Sequence, residues 1–184
     1  ALGEFVAANE SKTGIFPLRS FTARGLSYDA VRFAMRSVVA AADAHPELDG
    51  MATTVTLLLA SGGKAVIGHV GDSRAYLMRS GSLRRLTADH DLTMRPQGHS
   101  FETYDDAKID CFSIDLREGD TFLLCTDGAE DVVEDTSVLD PDTDAAPQTI
   151  AARIVAAARQ RSPDADATVV VIRVRDEEDI GWLL

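Results

Sequence analysis

The stretch TTVTLLLASGGKAVIGHVGDSRAYLMRSGSLRRL, residues Thr53–Leu86, alternates apolar runs with tight turns. The apolar and β-branched residues typical of strands fall in four runs: Thr53–Ala60, Ala65–Val70, Arg74–Arg79 and Leu83–Leu86. Turns are predicted by the Gly/Ser clusters Ser61-Gly62-Gly63 and Ser80-Gly81-Ser82. Strands joined this tightly pair antiparallel, because a parallel crossover needs roughly a dozen residues or more. The stretch therefore predicts a β-meander.

Two segments outside the meander have the apolar spacing of amphipathic helices. The first follows Ser27 and runs to about His45, where Pro46 ends it. The second begins at Pro147 and runs to about Arg161. Their apolar faces comprise Val31, Ala34, Val38 and Ala41 in the first helix and Ile150, Ile154, Val155 and Ala158 in the second. Each helix is predicted to cover a sheet with that face.

The remaining segments complete an irregular order of strands and helices. Further strands are predicted at Gly3–Ala8, Cys111–Leu116, Thr121–Cys125 and Thr168–Val174. The polar segment Thr87–Asp110 predicts a loop or lid in which His90 and His99 are solvated, and Glu134–Asp144 predicts an acidic, turn-rich stretch. Because strands and helices do not alternate regularly, the sequence predicts an α+β fold of antiparallel sheets covered by helices, not a doubly wound parallel sheet.

Length and charge bound the possible partners. The chain has 184 residues, with 18 Lys plus Arg against 30 Asp plus Glu, for a net charge of −12. Phosphate backbones and anionic membranes are bound largely through Lys and Arg, so we expect neither a nucleic-acid nor a membrane partner. No apolar run approaches the length of a membrane span, and no signal peptide is expected. The length predicts a single domain over residues 1–184, with 176–184 as an acidic tail that has an apolar end.

The two cysteines bear on the compartment. Cys111 and Cys125 lie in apolar, strand-like runs, which favours buried free thiols over a disulfide. Free thiols persist in reducing compartments, so the sequence predicts a cytoplasmic protein.

Carboxylates occupy turns at the ends of three predicted strands. Asp72 follows Ala65–Val70, Asp127 follows Thr121–Cys125, and the pair Asp164 and Asp166 precedes Thr168–Val174. A sheet rim can gather such groups from several strands, and clustered carboxylate oxygens hold hard divalent cations. Each aspartate taken singly is better explained as a turn residue or a helix cap.

The motifs in combination resemble those of the type 2C, metal-dependent Ser/Thr protein phosphatases. Residues 50–55 (GMATTV) resemble the Gly-x-x-Thr-Thr strand entry of that family, and residues 69–76 (HVGDSRAY) resemble its Gly-Asp-Ser-Arg motif. Residues 86–90 (LTADH) match the segment that follows this motif. Residues 118–120 (EGD) together with 123–128 (LLCTDG) resemble the family's Gly-Asp and Ser/Thr-Asp-Gly signature. The order and spacing hold from Tyr28 to Val174. The resemblance implies an αββα sandwich, in which two packed antiparallel β-sheets are flanked by α-helices. It also implies phosphomonoester hydrolysis by a water that bridges two Mg²⁺ or Mn²⁺ ions.

The resemblance further implies which positions should hold metal. Asp127 would be shared between the metal positions, and Asp72 would help to hold an accessory ion. The family's first metal Asp-Gly pair falls on Asn9 and Glu10, and its last metal Asp and the following Asn fall on Ala165 and Asp166. Asp164 could serve only if its loop shifts by one residue.

Other parts of the family pattern are reduced. The strand with the family's phosphate-binding Arg is not in this chain, and the flap between His90 and Leu116 is shortened. With ligands replaced, Mg²⁺ or Mn²⁺ binding is expected to be weak or incomplete, because less charge offsets the dehydration of the cation.

Three functional hypotheses follow from these positions. The first is a catalytically impaired pseudophosphatase that acts in signalling by binding a phosphoprotein or a Ser/Thr kinase partner. The alternative is an active Mg/Mn-dependent phosphoprotein phosphatase with an unusual metal site formed by Asp72, Asp127, Asp164 and Glu10. The third is a structural remnant of the fold, in which the surviving aspartates cap turns.

Three nearby residues have simpler explanations. Ser73 lacks the Gly-x-Ser-x-Gly elbow of a hydrolase nucleophile. Arg74 is expected to pair with nearby acidic residues. His69 lies in a predicted strand and is expected to be a packed core or rim residue rather than a metal ligand.

Overall fold

The computed structural model of the chain describes residues 22–90, 109–135 and 145–175. The predicted strand Gly3–Ala8, His99 and the predicted tail 176–184 lie outside these residues. The chain divides into two compact units. The first unit comprises Ala1–Gly71 and His90–Ile114, and the second comprises Asp72–Asp89 and Asp115–Leu184. The single domain expected from the length stays a prediction.

The described residues form helices and strands in the following chain order. The elements are α1 (Ala23–Ala44), a 3₁₀ turn (Pro46–Leu48), β1 (Val55–Ser61), β2 (Lys64–Val70), β3 (Arg74–Arg79), β4 (Ser82–Arg85), β5 (Asp110–Asp115), β6 (Thr121–Cys125), α2 (Asp127–Glu134), α3 (Pro147–Arg161) and β7 (Val169–Arg173). One sheet has the order β1-β2-β5 and belongs to the first unit, and the other has the order β4-β3-β6-β7 and belongs to the second.

The β1–β2 hairpin confirms the first turn of the predicted meander, but the prediction of a continuous meander was wrong, because β3 and β4 pair in the other sheet. Its register runs from Val55↔Val70 to Ser61↔Lys64, across the two turn residues Gly62 and Gly63. Both glycines have positive φ, 56° and 71°, which a two-residue hairpin turn of the primed type requires. Glycine adopts this conformation without the steric cost that a Cβ brings.

Helix α1 begins at Ala23, five residues before the predicted start at Tyr28. The reason is Thr22, whose side chain accepts a hydrogen bond from the Gly25 backbone N–H at 3.1 Å and so caps the first turn. The helix ends at Ala44, before Pro46, as predicted. It lies close to β2, because a Cβ on Gly68 would come within 2.5 Å of the Ser27 hydroxyl.

The buried face of α1 is rotated from the predicted one. The apolar residues that it buries are Ala30, Val31, Met35, Val39 and Ala42. Ala34 and Val38, predicted to be core residues, are half-buried and line an apolar groove against β1. The prediction was wrong by about one position because both stripes of this helix are apolar.

The second sheet carries the larger core. Its three strand pairs are antiparallel, and Ser80 and Gly81, with φ of 51° and 75°, form the β3–β4 turn. Helices α2 and α3 contribute to one buried apolar cluster with this sheet, whose members include Tyr76, Leu123, Cys125, Val133, Ile154 and Ala158. Helix α3 has the predicted bounds and buries Ile150, Ile154 and Ala158.

Helix α2 corrects the prediction that Asp127-Gly128 is a turn and that an acidic irregular stretch begins at Glu134. Asp127 is instead the first residue of this helix and Glu134 the last. The helix forms because Ala129, Val132 and Val133 bury one face, while acidic residues in the first turn suit the positive end of the helix dipole. Residues 136–144 of the predicted stretch lie outside the described residues.

Candidate functional site

The ends of three strands meet at one edge of the second sheet. Cys125, the last residue of β6, pairs with Arg74 at the start of β3 and with Val169 at the start of β7. Asp72 precedes Arg74 by two residues, and Asp127 follows Cys125 by two. The loop with Asp164 and Asp166 leads into β7. The strand register therefore brings the predicted carboxylate turns to the same edge.

Asp127 lies directly beyond this edge, on the first turn of α2. Its carboxylate Oδ1 accepts a hydrogen bond from the Gly128 backbone N–H at 2.9 Å, and the side chain is otherwise open to solvent. Thr126 is the N-cap residue, yet its hydroxyl makes no capping bond to the helix. That hydroxyl accepts instead from the Thr168 backbone N–H at 3.0 Å.

The loop before β7 is held against the Asp127 turn. The Thr126 backbone N–H donates to the Thr168 carbonyl at 3.1 Å, so Thr126 and Thr168 are bonded twice. A Cβ on Gly128 would come within 2.2 Å of the Asp166 carbonyl oxygen, so the two backbones touch. These contacts fix which residues of the loop face the Asp127 turn.

The acidic candidates at this edge are exposed and dispersed. Asp72, Asp127, Asp164, Ala165 and Asp166 are all exposed. Within residues 22–90, 109–135 and 145–175, no group of three or more His, Cys, Asp or Glu side chains could hold a metal ion. Asn9 and Glu10 lie outside the described residues. Metal ligation by these residues stays a prediction.

Arg74 carries the densest polar network of the second unit, as expected of an arginine paired with acids. Its guanidinium, with 14% of the side chain exposed, contacts Asp89 at 2.8 Å, Glu130 at 3.0 Å and Glu134 at 2.9 Å. The Tyr76 hydroxyl donates to Glu134 at 3.0 Å. Arg85 also contacts the Asp89 carboxylate. The sequence carried no signal for Glu130 and Glu134, because the helix that presents them was not predicted.

Burial and nearby charges raise the pKa values of the Glu130 carboxyl, the Tyr76 phenol and the Cys125 thiol. Desolvation raises the pKa of the Glu130 carboxyl, and the charge of Arg74 opposes that rise. Desolvation likewise raises the pKa of the Tyr76 phenol, against the lowering effect of its hydrogen bond with Arg74. The Cys125 thiol has its pKa raised to about 12, mainly by burial. Its buried position suits a packed thiol rather than a nucleophile.

The histidines of the first unit form a separate polar cluster. His69 is fully buried, as predicted, and its Nδ1 lies 2.9 Å from the Thr56 hydroxyl. The prediction that His90 is solvated was wrong, because its Nε2 lies 3.1 Å from the Asp110 carboxylate and its ring lies 4.9 Å from that of His69. The sequence carries no local signal for this contact, because His90 and Asp110 lie 20 residues apart.

Two smaller predictions are also resolved. Cys111 and Cys125 are both free thiols, as predicted, but only Cys125 is buried, whereas Cys111 is half-buried. None of the helices in the described ranges has the length and apolar character that crossing a membrane requires.

Comparison with known sequences identifies the family. A sequence profile described as "Protein phosphatase 2C" matches residues 7–178. The chain belongs to the protein phosphatase 2C family. Relatives in this family include the serine/threonine protein phosphatase PstP of Mycobacterium tuberculosis, 33% identical over 129 residues, which are 60% of this chain and 25% of that protein. The serine/threonine phosphatase stp of Listeria welshimeri is 30% identical over 124 residues, 57% of this chain and 49% of that protein. The chain thus spans a quarter to a half of these curated relatives.

Solved structures of the family agree on the fold. The catalytic domain of PstP, in complex with two manganese ions, superposes with a TM-score of 0.72 and 27% identity, over 93% of this chain and 79% of that one. The Stp1 phosphatase of Staphylococcus aureus superposes with a TM-score of 0.70, over 92% of this chain and 75% of that one. The expected α+β class, two antiparallel sheets with flanking helices, is confirmed.

Proposed function

We propose that this chain is a protein phosphatase 2C domain with a degenerate metal site, catalytically impaired, which acts by binding a phosphoprotein or a Ser/Thr kinase signalling partner. Family membership is the established part of this statement. The impaired site and the binding role are the proposal. The main support for the impaired site is the position of the loop before β7.

The decisive observation is the register of the loop before β7. Thr168 is bonded twice to Thr126, and the Asp166 backbone touches Gly128. This register favours the alignment without a gap, in which Ala165 stands at the family's last metal Asp. A one-residue shift that offered Asp164 instead would break these contacts. Alanine has no donor atom for a cation.

The other replaced positions support the same conclusion. The family's first metal Asp and its Gly correspond to Asn9 and Glu10, and Asn offers a neutral carbonyl in place of a carboxylate. A pair of Mg²⁺ or Mn²⁺ ions needs several carboxylates, because their charge offsets the dehydration of the cations. The donor set of Asp127 and Asp72 alone does not fit that pair, so we derive no catalytic step through it.

A phosphatase assay tests the proposal. The purified chain would be incubated with Mn²⁺ and either an aryl phosphate or a phosphothreonine peptide, beside the Asp127→Ala variant as the matched control. We expect equal, background hydrolysis from both proteins. Manganese-dependent hydrolysis that Asp127→Ala abolishes would overturn the proposal.

The binding role needs its own measurement. We expect the chain to bind phosphothreonine peptides more tightly than the same peptides without phosphate, measured by fluorescence anisotropy in the presence and absence of Mn²⁺. Equal affinity for both peptides would leave the chain without this role and would favour the structural remnant. The cytoplasmic location is part of the proposal, supported by the free thiols Cys111 and Cys125.

A second candidate function is the active enzyme with an unusual metal site. The observation that favours it is the pairing of Cys125 with both Arg74 and Val169, which brings the turns of Asp72, Asp127 and Asp164 to one edge. Calorimetric titration with Mn²⁺ separates the candidates. Tight binding of two ions supports the enzyme, whereas weak or incomplete binding supports the impaired domain.

A further inference from the structure

Arg74 connects three parts of the second unit that the sequence motifs keep apart. It begins β3, where it ends the Gly-Asp-Ser-Arg motif. Two of its nitrogens reach the two oxygens of Asp89, at 3.1 and 2.8 Å, in the segment after β4. It also reaches Glu130 and Glu134 on α2. A planar guanidinium suits this role, because its five N–H donors leave in fixed directions.

The contacts with α2 lie on the face of that helix that leads to Asp127. Asp127, Glu130 and Glu134 are spaced i, i+3 and i+7, so their side chains share one face. Glu130 and Glu134 both contact the Arg74 guanidinium, at 3.0 and 2.9 Å. The helix is therefore held at two successive turns, one and two turns beyond Asp127.

The network is partly buried, so it can hold a geometry that a surface pair cannot. The Arg74 side chain is 14% exposed and that of Glu130 25%, whereas those of Asp89 and Glu134 are 39% and 47% exposed, so the buried part of the network is the Arg74–Glu130 pair. Exposed ion pairs contribute little because water and salt screen them, whereas partly buried pairs are screened less. Tyr76 lies two residues after Arg74 on β3, and its hydroxyl donates a further hydrogen bond to Glu134.

We propose that Arg74 is the positioning residue of Asp127 and Gly128, the first two residues of helix α2. Arg74 holds this helix through Glu130 and Glu134, while Asp89 anchors the Arg74 guanidinium. The network thereby links the motifs of Arg74 and Asp89 to the helix that begins at Asp127. The inference rests on the proposed function in one respect, which is that Asp127 is the surviving carboxylate of the metal positions.

The Gly128 backbone amide offers a direct readout, because its N–H donates to the Asp127 carboxylate. The experiment compares ¹H–¹⁵N correlation spectra of the full chain and of Arg74→Met, without metal or phosphopeptide. We expect the Gly128 resonance to shift in Arg74→Met. In Arg74→Lys it should lie between the positions of the parent and Arg74→Met, because lysine keeps the positive charge but lacks the planar guanidinium with its several N–H donors. The matched control is Arg85→Met, since the ion pair of Arg85 is with Asp89, and it should leave the Gly128 resonance in place.

Two outcomes overturn the proposal: a Gly128 resonance that does not move in Arg74→Met, or one that moves equally in Arg85→Met. If Arg74→Met does not fold, the double variant Glu130→Gln/Glu134→Gln replaces it, because it releases α2 while leaving Arg74 on Asp89. The same Gly128 shift is expected there, and its absence also overturns the proposal. Since no metal is present, this result is independent of whether the chain hydrolyses phosphate.

Discussion

The Asp120 carboxylate accepts hydrogen bonds from Nε and Nη2 of Arg79, at 2.7 and 2.6 Å, with only 1% of Asp120 exposed. The Arg117 backbone N–H donates a third bond to it at 2.9 Å. The pair thus ties the end of β3 to the turn that enters β6. Asp120 belongs to the Glu-Gly-Asp motif, whose place in this fold is structural.

Removing the Asp120 carboxylate should destabilise the fold. Asp120→Ala leaves the Arg79 guanidinium without its buried partner, and breaking such a pair costs about 3–5 kcal/mol. Because Arg79 remains 25% exposed and can be rehydrated, we expect the lower end of that range. Urea denaturation measures it. The comparison variant is Asp115→Ala, since the hydrogen bond from Arg79 Nη2 goes to the Asp115 backbone carbonyl, which this variant keeps. Equal losses in the two variants would contradict the prediction.

A methyl group at Gly128 should separate the Asp127 turn from the loop before β7. Gly128→Ala would place Cβ within 2.2 Å of the Asp166 carbonyl oxygen, so one backbone must move. We expect a lower melting temperature and altered amide resonances at Asp166 and Thr168. Gly62→Ala is the control, because its Cβ would meet nothing within 4 Å and only the positive φ is strained. Unchanged loop resonances in Gly128→Ala would argue against the close approach.

The buried thiol of Cys125 should make the fold sensitive to alkali. Its folded-state pKa, about 12, lies above its ordinary value of 9.0. The folded state therefore holds this proton more strongly than the unfolded state, so the stabilisation is complete below pH 9 and is lost as pH rises towards 12. The slope from one group is at most about 1.4 kcal/mol per pH unit.

Cys125→Ala isolates this contribution, because it leaves the alkaline titration of Tyr76 in place. We expect the variant to be less stable near neutral pH through lost packing, but to lose less stability than the parent between pH 9 and 12. Chemical denaturation at several pH values provides the comparison. Parallel curves for the two proteins would show that Cys125 does not contribute.

Restoring carboxylates at the replaced positions should restore cation binding. The double variant Asn9→Asp/Ala165→Asp supplies both missing charges, and the number of charged ligands tunes the affinity of such sites over decades. We expect Mn²⁺ to bind at least about tenfold more tightly, measured by calorimetry. Ala52→Asp adds a carboxylate at an exposed position elsewhere and is the control. No gain over Ala52→Asp would remove these positions from the metal site.

Helix α3 lacks a side-chain cap and should accept one. Ala146 is its N-cap residue, with extended backbone angles and no capping hydrogen bond, and Pro147 follows it. Ala146→Asp would offer a side-chain acceptor to the N–H groups of the first turn, and such a cap is worth about 1 kcal/mol. Thermal denaturation should show a higher midpoint, whereas Ala156→Asp, in the exposed middle of the same helix, should show none. The prediction fails if both variants respond alike.

The two hairpins, β1–β2 and β3–β4, could be predicted from sequence because their signals are local, whereas their placement in different sheets could not. Glycines mark each tight turn, and β-branched and apolar runs mark each strand, so β3 and β6 have the predicted bounds. The rotated face of α1 could not be predicted in this way. Both of its stripes are apolar, and the choice between them depends on the close approach of Ser27 to Gly68 across the sequence.

The site was less accessible to sequence reasoning. Turn signals and motifs indicate the aspartates, but the network around Arg74 depends on Glu130 and Glu134. These lie on an eight-residue helix that begins at Asp127-Gly128, a pair that is also a common turn signal. The contact of His90 with Asp110 spans 20 residues and carries no local pattern. Side-chain partners of this kind follow from the tertiary fold.

The two strand pairings have different consequences for how the chain folds. The β1–β2 hairpin closes over two glycines and pairs seven residues on each side, so its contacts form with little loss of chain entropy. The pairing of Arg74 with Cys125 joins residues 51 positions apart, through β4 and β5, and must wait for a long loop to close. We therefore expect the hairpin to acquire hydrogen-exchange protection first during refolding, and the edge that carries Asp127 to assemble late.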